Sequence, residues 1–319
     1  MNNNLLTRTL TGIVFIILLV GCILYGPQTF VMLFAVVSAM TIWEFCTILN
    51  RYADAHINRF ITTIAGVYLF FAVFGFNLNV MDSRHHGLLL HQCAVFGFNL
   101  NVMDSNIFIP YLLLLLYLMV SELYKAHPKD IQNIAFTMMA QLYIALPFAL
   151  LNVLTFVFAH DNGQGIYPST PIAYIWVYVL SIFIFLWTND TGAYCVGTLC
   201  GKHRLFPRLS PKKSWEGSIG GAVVALAASQ IIASFEFGEV FVVGNPLMNR
   251  LAWGGLSLVV IIFGTWGDLF ESMLKRRLGI KDSGNILPGH GGMLDRFDSA
   301  LFAIPVAVIY ISTLQYFTL

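Results

Sequence analysis

The chain has 319 residues, 58% of them hydrophobic and only 10% charged, with a formal net charge of +1 and a mean hydropathy of +0.76. Soluble globular domains carry about 25% charged residues, so that class is excluded. The near-neutral balance names no partner, because the charges are segregated by position.

The apolar residues fall in blocks of roughly bilayer length, a hydrocarbon core about 30 Å thick needing about 20 of them per helix. The expected fold is therefore all-α: a polytopic membrane protein with about nine transmembrane helices. In chain order the candidate spans are 11–25, 29–49, 60–80, 107–120, 132–157, 171–188, 217–235, 251–267 and 299–316. The first follows Arg8 and imitates a signal peptide, but only "GPQ" parts it from the second and no small-residue cleavage pattern follows. A helical hairpin is the better reading. With the N-terminus cytoplasmic and the C-terminus outside, fifteen of the 17 Lys and Arg residues fall on the inner side, leaving Arg84 and Arg250 outside.

Within the N-terminal part, 1–170, "AVFGFNLNVMDS" occurs at 72–83 and again at 94–105. Two identical copies are read as a local duplication enlarging an external loop, since solenoid repeats drift and recur at least three times. Arg84, His85, His86 and His91 lie between the copies; a His cluster can bind metal, yet an irregular insertion is a poor frame for it. Five cysteines show neither metal-ligand spacing nor a disulfide framework and are read as packing residues. Glu44, in "TIWEFCTI", is an intramembrane acid and a functional candidate by default, with snorkelling or pairing as the alternative.

The C-terminal part, 171–319, carries two polar connections, 189–216 and 268–298, and any chemistry must be done there. In the first, Asp190 sits at the inner end of span six, where an unpaired carboxylate needs a neutralising partner. "SPKKSWEG" follows, with Ser210, Lys212, Lys213, Ser214 and Glu216. Such lysines often serve only to hold a loop inside; the clustered hydroxyls and glycines additionally suit oxyanion contact. Gly217 and Gly221 form a GxxxG pair, best read as close helix packing.

The second connection begins "GTWGDLFESMLKRRLGI". If helical, it places Asp268, Ser272 and Lys275 on one face with Glu271 beside them. Asp295 and Asp298 share a face at the start of span nine. Carboxylates arriving from two helix ends, with Gly291 and Gly292 permitting close backbone approach, suit a hard cation with oxygen ligands. Ion pairs of Asp295 or Asp298 with Arg276, Arg277 or Arg296 are the alternative.

The run Ser272, Leu274, Lys275, Arg276, Lys281, Asp282, His290, Gly291, Gly292, Asp295, Arg296 and Asp298 resembles the C-terminal signature of the CTP:phosphatidate cytidylyltransferases, or CDP-diacylglycerol synthases. "DTGAY" at 190–194 and "SPKKSWEG" at 210–217 are similar to further stretches of that family, Ser214 standing where Thr is common. The resemblance implies conversion of CTP and phosphatidic acid to CDP-diacylglycerol and pyrophosphate, with Mg²⁺ as cofactor held by Asp268 and Asp295. Asp298 and Asp282 would support the ion or orient basic residues. Lys212, Lys213, Lys275, Arg276, Arg296 and Lys281 would meet phosphates, Ser210 and Ser214 would donate to the triphosphate, and His290 would hydrogen-bond in the loop or move a proton. CTP, phosphatidic acid and bilayer lipid are the implied partners, nucleic acid is not, and a homodimer is compatible. A bacterial inner membrane with the site facing the cytoplasm is the expected setting. A CTP-dependent polyprenol or phytol kinase and an anionic-metabolite transporter are the rival readings; the latter should show paired internal repeats, and none is visible.

Overall fold

The computed structural model describes residues 2–85, 105–125, 129–158, 172–235, 245–286, 289 and 291–318. Among them lie nine long helices: α1 (Asn2–Tyr25), α2 (Pro27–Tyr52), α3 (Arg59–His85), α4 (Ile109–Lys125), α5 (Asp130–Thr155), α6 (Trp176–Cys200), α7 (Trp215–Ala233), α8 (Pro246–Leu278) and α9 (Leu294–Thr318). Eight include stretches long and apolar enough to cross a membrane, and α1 contributes the shorter apolar stretch Leu10–Tyr25. The polytopic all-α architecture follows directly: in hydrocarbon a backbone must satisfy its own hydrogen bonds, and helices do so within one segment. Two short antiparallel hairpins complete the described fold, β1 (Phe156–Phe158) with β2 (Ile172–Tyr174) and β3 (Arg204–Phe206) with β4 (Ser210–Ser214).

Residues 1–176 and 177–319 form two compact units. In the first, α2, α3 and α5 surround a core of Phe30, Phe34, Phe70 and Phe148, all at 0% exposure. Helix α5 passes through a π turn, Gln141–Ala145, where the Gln141 amide donates to Thr62 O at 2.8 Å. Such turns arise where the regular ladder is interrupted, and here a side chain from α5 enters the backbone of α3. Glu44 is buried on α2 in this unit. The first duplicated copy, 72–83, does not form loop; it continues α3. The second copy, apart from Ser105, lies outside the described residues, as do His86 and His91.

In the second unit α6, α8 and α9 run beyond their apolar windows. The run 189–200, expected as loop, is helical to the end of α6, and α8 runs to Leu278 rather than stopping near 267. At 1.5 Å per residue its 33 residues span about 50 Å, well beyond a 30 Å hydrocarbon layer. Left-handed Gly279 (φ 68°) ends it, with Ile280 N returning to Lys275 O at 3.0 Å, a conformation that a Cβ would disfavour.

Small residues set the spacing of these helices. A Cβ on Gly192 would lie 3.0 Å from Gly221 Cα, and one on Gly217 would lie 2.8 Å from Ala193 O. The GxxxG pair of α7 is thus a packing device, answered by glycines on α6. On α8 a Cβ at Gly267 would come within 2.5 Å of Asp298 O, so only glycine lets the first turn of α9 lie this close.

Candidate active site

Helices α8 and α9 bring the acids together. Asp268 and Glu271 stand one turn apart on α8, and Asp298 is on the first turns of α9, opposite Gly267. One ligand oxygen from each of these three carboxylates lies within 4.8 Å of the others. Ser272 Oγ approaches Asp268 Oδ1 at 3.5 Å, and Asp298 Oδ1 accepts from Ser299 N at 2.6 Å. Glu271 is fully buried, and neither of its oxygens receives a hydrogen bond. Lys275 Nζ lies 2.5 Å from Glu271 Oε2, one turn along α8, as a charge contact out of line for a hydrogen bond.

Asp295 is engaged differently from the expected metal ligand. Its Oδ2 accepts from Ser283 N (2.8 Å), Ser283 Oγ (2.9 Å) and Gly292 N (2.8 Å), while Oδ1 accepts from Lys275 Nζ at 2.7 Å. Gly291, at φ 82°, sits so close that a Cβ there would be 2.5 Å from Asp295 Oδ2. The "GGxxD" spacing therefore works locally as a loop clamp at the start of α9, where a carboxylate is also favoured by the helix dipole. Beside Asp268 the carboxylate oxygens that lie together are those of Glu271 and Asp298, while Asp295 holds Lys275 and the loop.

The α6–α7 side contributes the cations. Lys213 forms an ion pair with Asp268, its Nζ meeting Oδ2. Lys212 and Lys213 line a cavity of about 210 Å³ together with Asn189, Asp190, Tyr194, Ser214, Ser218 and Thr265. The cations that share a wall with Asp190 answer its need for a neutralising partner. The β3–β4 hairpin presents these lysines and is tied to α7 by Glu216, whose carboxylate accepts from Lys202 N at 3.1 Å and His203 N at 3.2 Å and meets His203 Nδ1 at 2.6 Å.

Ser214 has a structural duty that the sequence reading did not assign. It is the N-cap of α7, its Oγ accepting from Gly217 N at 3.1 Å, and it is 3% exposed. The local pattern of a serine followed by Trp215, Glu216 and a glycine-rich helix start was the signal that could have identified it. Ser210 begins β4 and does not line the cavity. Arg276, Lys281, Asp282 and Arg296 are exposed, with no ion pair to an arginine recorded for Asp295 or Asp298 among the described residues. His290 lies outside the described residues. Sequence reasoning noted Glu271 only as a neighbour and did not single out Ser283.

The donor set fits a divalent cation that prefers oxygen. Among the described residues, Asp190, Asp268, Glu271, Asp295 and Asp298 are met by three lysines, Lys213 and Lys275 in ion pairs and Lys212 along the cavity wall, which leaves the acids in excess. The buried Glu271 carboxylate, whose ion-pair partner among the described residues is Lys275, and the acids beside it suit an ion of the Mg²⁺ type, which takes one or two carboxylates and keeps part of its water.

The sequence profile of the cytidylyltransferase family matches residues 6–314. A phosphatidate cytidylyltransferase of Haemophilus influenzae is 32% identical over 306 residues, covering 93% of this chain and 95% of that protein. One from Staphylococcus aureus is 38% identical over 173 residues, and one from Staphylococcus haemolyticus 46% identical over 132. These two alignments span 56% and 46% of the relatives' own lengths.

Proposed function

The chain belongs to the cytidylyltransferase family, and we propose that it is a nucleotidyltransferase that makes CDP-diacylglycerol from CTP and phosphatidic acid. The observation that carries this reading is the meeting of Asp268, Glu271 and Asp298 with Lys213 and Lys275 at the polar ends of apolar helices. Carboxylates to hold a divalent cation and ammonium groups to meet phosphates are what a reaction between two anions requires.

In the reaction an oxygen of the phosphatidate phosphate attacks the α-phosphorus of CTP. The bond from that phosphorus to the oxygen bridging the β-phosphate breaks, and pyrophosphate departs with the electron pair. A phosphomonoester has its second pKa near about 6, so the nucleophile is largely ionised at neutral pH and no strong general base is required. Positioning and charge stabilisation remain as the protein's work. Asp268, Glu271 and Asp298 would hold Mg²⁺, and the ion when bound would supply charge neutralisation between the phosphates.

Lys213, from the hairpin side, and Lys275, from α8, sit where the phosphates of the nucleotide can meet them as Asp268 and Glu271 are taken up by the cation. Lys212 lines the same cavity as Lys213, and the exposed Arg276, Arg296 and Lys281 extend the cationic surface for phosphate contact. Asp295 keeps Lys275 in place. The site is read as facing the cytoplasm of a bacterial cell, where CTP is available, with the lipid substrate arriving in the bilayer.

The test is incubation of the purified protein with labelled CTP, phosphatidic acid and Mg²⁺, followed by identification of the labelled product. CDP-diacylglycerol with release of pyrophosphate is the expected result. Phosphorylation of a polyprenol or phytol with release of CDP would replace the reading with a lipid kinase.

A further inference from the structure

Ser283 lies within the run 272–298 but is not among the residues singled out there, yet it is closely tied to the start of α9. It is 6% exposed, and both its backbone N–H and its hydroxyl donate to the same oxygen, Asp295 Oδ2, at 2.8 and 2.9 Å. Gly292 N supplies a third donor to that oxygen. Three donors on one oxygen fix both side-chain torsions of Asp295 and leave Oδ1 aimed at Lys275 Nζ. Lys275 has four rotatable bonds, and its other ion pair among the described residues is with Glu271, on its own helix. Holding so flexible a side chain in one rotamer is entropically costly unless a second fixed partner specifies it.

We propose that Ser283 is a positioning residue for nucleotidyl transfer: by locking Asp295 through two hydrogen bonds to Oδ2, it makes Oδ1 the anchor that presents the Lys275 ammonium beside Glu271. The relay runs from the loop to Asp295, then Lys275, then the acid cluster, and Ser283 itself touches no reactant. The proposal rests on the nucleotidyltransferase reading above.

Ser283→Ala keeps the backbone donor and removes the hydroxyl; Ser283→Thr keeps both. Measured on the full-length protein in detergent, Ser283→Ala is expected to lower kcat about tenfold, the scale of one lost hydrogen bond to a charged group. KM for CTP should stay within about twofold and the thermal midpoint should fall by only a few degrees, because the other donors still close the loop. Ser283→Thr should restore kcat to within about threefold of wild type. A fully active Ser283→Ala protein, one that loses only thermal stability, or a Thr variant as impaired as the Ala variant would each overturn the proposal.

Hydrogen exchange at the Gly292 amide gives a readout free of turnover: exchange should speed up about tenfold in Ser283→Ala and remain slow in Ser283→Thr. Unchanged exchange in both would refute the positioning role. If wild type forms no CDP-diacylglycerol, the functional reading fails while this exchange comparison still decides whether Ser283 fixes Asp295.

Discussion

Asp268, Glu271 and Asp298 pose an electrostatic problem that their surroundings only partly relieve. Were all three ionised, each pair of like charges within 4.8 Å would repel by about 3.5 kcal/mol or more at an effective dielectric of 20, a cost that protonation of one acid or a bound cation relieves. Lys213 and Lys275 offset part of this, but Lys275 is shared with Asp295. A divalent cation would therefore stabilise the fold as well as serve the reaction, through ordinary linkage. Millimolar Mg²⁺ is expected to raise the wild-type thermal midpoint by several degrees, and chelation to reverse the gain. Glu271→Gln keeps the shape and removes one charge, so the Mg²⁺-dependent rise should shrink to about a third or less, with kcat reduced at least about 100-fold. Equal Mg²⁺ responses in the two proteins would remove Glu271 from the cation's ligands. Ser214 makes a related point in reverse: its hydroxyl oxygen caps α7, so part of the loss in a Ser214→Ala variant would be helix stability rather than phosphate contact.

At the scale of elements, the site exists because α9 approaches α8 over glycine. A methyl group at Gly267 would press on the backbone of Asp298 and Ser299 and shift the first turn of α9 by a few tenths of an ångström or more. Gly267→Ala is thus expected to reduce kcat about tenfold or more, since small misplacements of positioned groups are costly in transfer reactions. Gly254→Ala, on the same helix, meets nothing nearer than 3.5 Å and should retain wild-type activity. Comparable activity in the two variants would show that the α8–α9 spacing at Gly267 does not govern the chemistry. The same elements show where hydropathy stops being informative. It located α8 by the apolar window 251–267, but a helix that continues into water is no longer apolar, so the extension to Leu278 left no hydrophobic trace. The offsets of Asp268, Ser272 and Lys275 carried that extension instead, as an amphipathic face. Nor could spacing alone show that Ser283, twelve positions from Asp295, would supply two of its donors. That bond depends on how the intervening loop folds back, which is a tertiary outcome.

Over the whole molecule, the nine long helices among the described residues match the nine apolar blocks because burying backbone polar groups in hydrocarbon leaves the chain little choice. The duplicated stretch was harder to place. Its apolar, non-proline composition is compatible with helix, and the first copy simply lengthens α3. Orientation is open to a direct chemical test with single-cysteine proteins. Cys195 and Cys200 are exposed on the last turns of α6, on the side of the acid cluster, and Cys93 lies in the segment expected outside. In intact cells a membrane-impermeant maleimide should label Cys93 and spare Cys195 and Cys200, which should react only after permeabilisation. The opposite pattern would invert the topology and place the site outside.

Helix α8 also acts as a measuring rod. Asp268 lies 22 residues after Pro246, about 33 Å along the axis, close to the hydrocarbon thickness of an ordinary bilayer. On the function proposed above, a rod of that length starting at one face of the bilayer would carry its carboxylates to the depth of the lipid headgroups at the other, so a phosphate still tethered to its two acyl chains need not be lifted out to react. Membrane thickness thereby becomes a variable of the chemistry: a much thicker leaflet pair would drown the cluster in hydrocarbon, and a much thinner one would strand it above its lipid.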